Sequence, residues 1–296
     1  MRRMTDDQGA VGVMVALMMI PLLVCTALVI DVGSAYARRT ELQTAADAAA
    51  LGIAQDCGQG ACGNIGTTAS SLTSSNVRSG PATASAALSG NSVTVHTGSV
   101  VDYFFAPVIG IDSGTVGARA TARWGAPVGG RAVLPVIFSW CAFYRQTHGG
   151  IPSPTSQSIQ FSKEDSTNCT GPSGNVVPGG FGWLKIDSGG GCNVTSSVTG
   201  IVHSDPGSSA PCNSSHFTAQ LNKTVLLPLF EKYGGTGTNA WYQVYGYAAF
   251  RLTGFYFQGS HNWLNGYFLV FVAPSDAWRY GAGAPDLGAR VVSLTG

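Results

Sequence analysis

The sequence predicts an α+β protein in three parts: a long transmembrane helix extending into an Ala-rich rod (1–55), a small αβ segment (56–127) and a disulfide-stapled, antiparallel β-rich ectodomain (128–296). Three observations predict it. Residues 10–30 carry no charge. Directly behind them, Leu42, Ala45, Ala46, Ala49, Ala50 and Ile53 recur at helical spacing, so one helix continues from lipid into water. Far downstream, Trp241 to Phe257 alternates with period two, the signature of a long strand.

The uncharged stretch is long enough to cross a bilayer core of ~30 Å at ~1.5 Å rise per residue. Pro21 in its middle removes one helix hydrogen bond and predicts a kink, which membrane helices tolerate. A cleaved signal peptide has a shorter apolar core, roughly 7–15 residues, although Ala35-Tyr36-Ala37 would supply a cleavage site. A lipoprotein would need a small residue before its cysteine, and Val24 precedes Cys25. The segment therefore reads as a permanent single-pass anchor. Arg2-Arg3 on one side and Arg38-Arg39 on the other leave the positive-inside rule undecided.

The cysteines decide the orientation. Cys25 lies in the apolar span and reads as a small hydrophobe; Cys57, Cys62, Cys141, Cys169, Cys192 and Cys212 all follow it. An even count beyond a membrane segment reads as disulfides in an oxidising compartment. This puts the N-terminus in the cytoplasm and the C-terminal bulk outside the cytoplasmic membrane. No Cys-x-x-Cys pair occurs, which favours disulfides over metal. Six cysteines allow 15 connectivities, and proximity alone suggests Cys57–Cys62, Cys141–Cys169 and Cys192–Cys212.

Net charge is +1 and only 10% of residues are charged, with no basic run that would suit nucleic acid. The expected partner at this level is the lipid bilayer. Past the helix, Ser92 to Thr97 reads as a strand, Val101 to Gly110 as a short helix or turn, and Thr115 to Trp124 as a second strand. Ala132 to Trp140 reads as one buried strand with Pro135 at an edge or bulge. Residues 147–180 and 187–215 read as loops, with a short strand at 179–186 between them. Thr224 to Phe230 reads as a strand returning antiparallel into Trp241 to Phe257, followed by strands at 267–273 and 289–294.

No catalytic, cofactor or metal constellation stands out. Glu164-Asp165 and His203-Ser204-Asp205 read as solvated turns, and His216 and His261 stand alone. The aromatic block from Tyr242 to Phe271 reads as sheet core and cross-strand pairs; a glycan-binding face is its functional alternative. The four Asn-x-Ser/Thr sequons are what a chain rich in Ser and Thr yields by chance.

One ordered run carries a resemblance. Gln8 to Leu23 with Pro21, then Asp31-Val32-Gly33, Tyr36, Arg38-Arg39, Leu42-Gln43 and Ala46-Asp47-Ala48-Ala49-Ala50-Leu51 resembles the TadE/TadG-like family of Tad (tight adherence) Flp-pilus assembly, in its actinobacterial form. The similarity is strong over residues 8–57 and weaker to about residue 125, where helix plus small sheet is similar to pilin-like subunits. It implies an envelope role as a minor-pilin-like or accessory subunit, with Pro21, Asp31, Gly33 and Asp47 as family positions and other Tad/Flp subunits as partners. The small residues at 43–54 would admit a partner's helix. The Gly-to-Glu spacing of processed pilins is missing: Met14 follows Gly9 and Leu17 follows Gly12 at that distance, so an anchor is expected and a processed fibre subunit is not. Asp187-Ser-Gly-Gly-Gly lacks the second Ser of the von Willebrand A-type metal motif found in larger TadG-like proteins. The rival readings are a lectin-like surface protein and, further off, an extracellular hydrolase.

Overall fold

The computed structural model describes residues 7–295 except 151, 153, 190, 260 and 275. In chain order the elements are α1 (Asp7–Gly58), α2 (Ile65–Asn76), β1 (Thr83–Ser89), β2 (Ser92–Asp102), β3 (Ser113–Gly125), β4 (Pro127–Ala132), β5 (Val136–Ser139), α3 (Trp140–Thr147), β6 (Gln157–Gln160), β7 (Asn168–Thr170), β8 (Val176–Pro178), β9 (Phe181–Trp183), β10 (Val194–Ser197), β11 (Ile201–His203), α4 (Ser214–Thr218), β12 (Thr224–Gly234), β13 (Trp241–Gln258), β14 (His261–Leu269), β15 (Phe271–Pro274), β16 (Trp278–Tyr280) and β17 (Ala289–Thr295). The class is α+β, as the composition of helix and alternating strand implies.

The chain forms two compact units. The first holds residues 1–53, 63–122 and 294–296; the second holds 54–62 and 123–293. The rod and the small αβ segment, read as separate stretches in the sequence, therefore fold together, and the last turn of α1 counts with the β-rich unit.

In the first unit α1 runs unbroken through Pro21. Its apolar part is exposed, with a mean hydropathy of 2.8 over the most apolar window, long and apolar enough to be a single membrane span. Its distal part is not a free rod. Leu42, Ala45, Ala46, Ala49, Ala50 and Ile53 are all fully buried, as are Val93 and Val95 of β2 and Ala122 of β3. The Thr97 hydroxyl donates to the Leu42 carbonyl at 3.0 Å, and Gln43 Nε2 donates to the Arg119 carbonyl at 3.1 Å. The Ala-rich stripe thus faces the sheet of its own chain, because alternate residues of β2 supply the apolar face that an Ala stripe needs. The surface expected to receive a partner's helix is occupied from within. At Gly52 a Cβ would come within 2.6 Å of Leu72 Cδ1, so a side chain there would have to displace the end of Leu72 from α2. β1 and β2 form an antiparallel hairpin in register from Ser89↔Ser92 to Thr83↔Gly98, and β3 lies beside β2. Neither α2 nor β1 is foreseen from the Ser/Thr/Ala-rich sequence, whose periodicity is weak.

Replacing Ala49 with Leu adds a branched side chain where there is no space. Overpacking of this kind costs ~1–3 kcal/mol. We expect Ala49→Leu to lower the denaturant midpoint of the helix–sheet unit, read by hydrogen exchange of its amides. Unchanged protection would mean that the stripe does not pack on the sheet.

The second unit is built on a seven-stranded sheet in the order β6-β14-β13-β12-β5-β9, with β11 also on β13. β12 and β13 are antiparallel, as the turn at 234–239 implies, with register shifts around Glu231. β5 joins β12 in parallel, and β15 joins β17 in parallel, so the sheet system is mainly but not wholly antiparallel. The core is aromatic: Phe138, Phe181, Trp183, Phe250 and Phe268 are fully buried and meet edge-on or tilted.

Several expectations change here. Ala132 to Trp140 is two strands in different sheets, β4 and β5, split where Pro135 withholds an N–H. Trp140 begins helix α3, capped by the Ser139 hydroxyl, which accepts from the Ala142 amide at 3.0 Å. The run at 267–273 divides between β14 and β15, and the loop regions carry short strands β6, β7, β8, β10 and β11. Three disulfides join the pairs suggested by proximity: Cys57–Cys62, Cys141–Cys169 and Cys192–Cys212, with Cα separations of 4.0, 5.7 and 5.9 Å. Cys25 is free and exposed.

Candidate functional site

The densest polar constellation in the first unit surrounds α1 just past its apolar span. Asp31 is the first residue after Ile30, and its carboxylate is buried. It accepts from the Phe104 amide at 2.7 Å, the Phe105 amide at 3.1 Å and the Ala106 amide at 2.7 Å. One side chain thereby caps the short 3₁₀ turn at Ala106–Ile109, whose opening amides have no partner of their own. The sequence marks Asp31 as a family position; its partner loop, 73 residues away, carries no local signal.

Two turns further on, Arg38 is 5% exposed. Its Nε and Nη2 donate to Ser99 Oγ at 3.1 and 2.7 Å, Nη1 donates to Glu41 Oε2 at 3.1 Å and to Ser79 Oγ at 2.5 Å, and Nη2 donates to the Pro81 carbonyl at 2.9 Å. Five bonds match the five N–H groups of a guanidinium. Gly80, at φ +125°, makes the turn that presents Ser79 and Pro81 to Arg38. Arg39 beside it is exposed. The sequence treats the two arginines as an equivalent flanking pair; only one points to solvent.

Glu41 completes the network, accepting from the Arg78 amide and from the Ser79 hydroxyl. The Ser79 hydroxyl, the Arg78 amide and Arg38 together hold its carboxyl below the ordinary 4.5 against a smaller opposing effect of burial. A carboxylate with a lowered folded value stabilises above its unfolded pKa and loses that contribution as pH falls through the folded value. We therefore expect the 78–81 turn to loosen below about pH 4.5, seen as faster exchange of the Arg78 amide on going from pH 6 to pH 3 after correction for intrinsic rates. In Glu41→Gln that extra acid sensitivity should vanish; if it persists, another group is responsible.

The remaining family positions differ in kind. Asp47 is half-buried and accepts from Gln43 Nε2 at 2.9 Å within the helix. Gly33 is exposed with open space around it, and Pro21 sits in the exposed span.

The other residues singled out in the sequence lie in the second unit and do not converge. Asp165 pairs with Arg145 at 3.0 Å and binds Thr167, while Glu164 lies 3.8 Å from His261. His203 is in β11 and His216 is exposed in α4. Glu231, buried at the β12 bulge, accepts from the Ser173 amide and hydroxyl at 3.1 and 2.8 Å and so ties a turn to the sheet. Tyr247 is buried against Trp278; burial pushes its phenol up to about 12, and its hydroxyl shares a 2.8 Å bond with Ser196. Of the aromatic block, Tyr247, Phe250 and Phe268 are buried, and Tyr242, Tyr245, Phe255, Phe257 and Phe271 pack half-buried against the core; Tyr256 and Trp263 stack with 5.9 Å between rings, Tyr256 being exposed.

Residues 9–56 match the family model described as "Tad: Putative Flp pilus-assembly TadE/G-like". No curated protein and no solved structure matches the chain. The matched segment is the long helix with Asp31, Arg38 and the buried Ala stripe, and it ends at residue 56. Over that helix, and not beyond it, the chain is similar to the TadE/G-like family of Flp pilus assembly.

Proposed function

We propose that the protein is a non-enzymatic, single-pass component of a Flp/Tad-type pilus assembly or adhesion system, minor-pilin-like or accessory. The observation that carries this reading is the family match over α1 together with an apolar segment that nothing in its own unit covers. In this reading the N-terminus is cytoplasmic and the β-rich unit lies outside. The pairing of all six distal cysteines supports that orientation, since disulfides persist in oxidising compartments. Partner subunits meet the apolar span and the exposed face of α1 around Gly33, since the Ala stripe is covered.

The test is crosslinking in native membranes, extraction of the full-length protein and mass spectrometry of what comes with it. Co-purification of pilus-machine subunits, crosslinked through residues 11–37, and an uncleaved N-terminus are the expected results. Recovery of the protein alone, or a mature chain beginning after the span, would overturn the reading.

A further inference from the structure

The loop 103–111, Tyr-Phe-Phe-Ala-Pro-Val-Ile-Gly-Ile, contains no charged residue and lies against the base of the apolar span. Asp31 fixes its height: the amides of residues 104–106 bind the carboxylate that directly follows Ile30. Its side chains do not turn inward. Phe104 is 73% exposed, Val108 88% and Ile109 76%, and Phe105 and Ile111 are exposed as well. A cluster of large apolar groups this open in water is unusual unless something covers it.

We propose that this loop is a second membrane contact, a wedge that dips into the headgroup and acyl boundary of the bilayer beside α1. The proposal rests on reading residues 10–30 as a membrane span. The occupant is lipid because the patch is continuous with that span: whatever surrounds Ile30 also surrounds groups tied to Asp31.

The backbone is prepared for a place with little water. The Tyr103 amide donates to the Asp112 carbonyl at 3.0 Å, Val108 to Phe105 at 3.1 Å, Gly110 to Pro107 at 3.0 Å and Ile111 to Ala106 at 3.1 Å. The amides of 104–106 are taken by Asp31, and Pro107 has none. Polar backbone groups are tolerated near hydrocarbon when bonded internally, and the amides of 103–106, 108, 110 and 111 are. Exposed Asp102 and Asp112 bound the loop and limit how deep it can go.

Interfacial segments of this kind sit ~5–10 Å into the headgroup/acyl boundary. The test uses the full chain in a Cys25→Ser background, reconstituted in phosphatidylcholine/phosphatidylglycerol vesicles. Single spin labels are placed at Val108→Cys, at Leu22→Cys in the span and at Asn91→Cys on the exposed β1–β2 turn, with the three native disulfides verified by peptide mapping. Relaxation by oxygen against a water-soluble nickel chelate reads depth. The expected result places the Leu22 label in the bilayer interior, the Val108 label ~5–10 Å below the phosphates and the Asn91 label in water. A Val108 label in water, with the Leu22 label in lipid, overturns the wedge and leaves the anchor standing. A Val108 label shielded from both reagents means a protein covers the loop, which also overturns it. A Leu22 label in water overturns anchor and wedge together.

Discussion

Arg38→Ala is expected to cost the helix–sheet unit ~1–3 kcal/mol, the range for leaving buried acceptors without their donor, since Arg38 is buried while Glu41 is partly exposed. The magnitude follows from what is left behind. Without the guanidinium, Glu41 keeps its bonds to Arg78 and Ser79 but loses its counter-charge, and the Pro81 carbonyl and Ser99 hydroxyl lose their buried donor. Arg38→Lys should recover little, because an ammonium has three donors on a flexible stem and cannot serve Ser79, Ser99, Glu41 and Pro81 in one plane. The internal control is the neighbouring residue. Arg39 is exposed, and Arg39→Ala should stay within about 0.5 kcal/mol of the parent. Denaturant unfolding followed by hydrogen exchange at the amides of β1 and β2 separates the two cases. A loss below ~1 kcal/mol in Arg38→Ala, no larger than a surface pair's worth, would mean that the network is solvated.

The contrast between the two arginines shows where sequence reading ends. The long helix was legible because an uncharged span and a 3.6-residue stripe are local patterns. So was β13, whose alternation is local too, and so were the disulfides, whose partners are near neighbours in the chain. The direction in which the stripe faces was not. An Ala-rich face suits a partner's helix and an intramolecular sheet equally, and only the placement of β2, tied to Leu42 by Thr97, decides between them. Trp140 to Tyr144 shows a second limit. A short apolar run has no periodicity to separate helix from strand, and the Ser139 cap that starts α3 is a single hydroxyl. The polar constellation around Asp31 and Arg38 was half legible. Asp31 could be marked from its motif, but its purpose rests on amides of Phe104 to Ala106, and Arg38's on hydroxyls of Ser79 and Ser99, all beyond any local window.

Asp31→Ala separates the two aspartates that the family motif treats alike. Removing the Asp31 carboxylate leaves three amides without an acceptor, two of them at 2.7 Å. Each hydrogen bond to a charged group contributes ~1.5–3 kcal/mol, so losing two strong ones costs the loop ~3 kcal/mol even at the low end. At about 1.4 kcal/mol per tenfold, amide exchange at Phe104, Phe105 and Ala106 should speed up by roughly 100-fold. Asp31→Asn keeps one acceptor oxygen and should fall between parent and Ala. Asp47→Ala gives up a half-buried bond within the helix and should cost no more than about 0.5 kcal/mol. The result that would sink the assignment is equal exchange at 104–106 in Asp31→Ala and the parent, for then the loop is held by its own turn. If the rates separate as expected, Asp31 is the residue that sets the height of an apolar loop against an apolar span. A motif position then does positional work that no contact with a partner subunit is needed to explain.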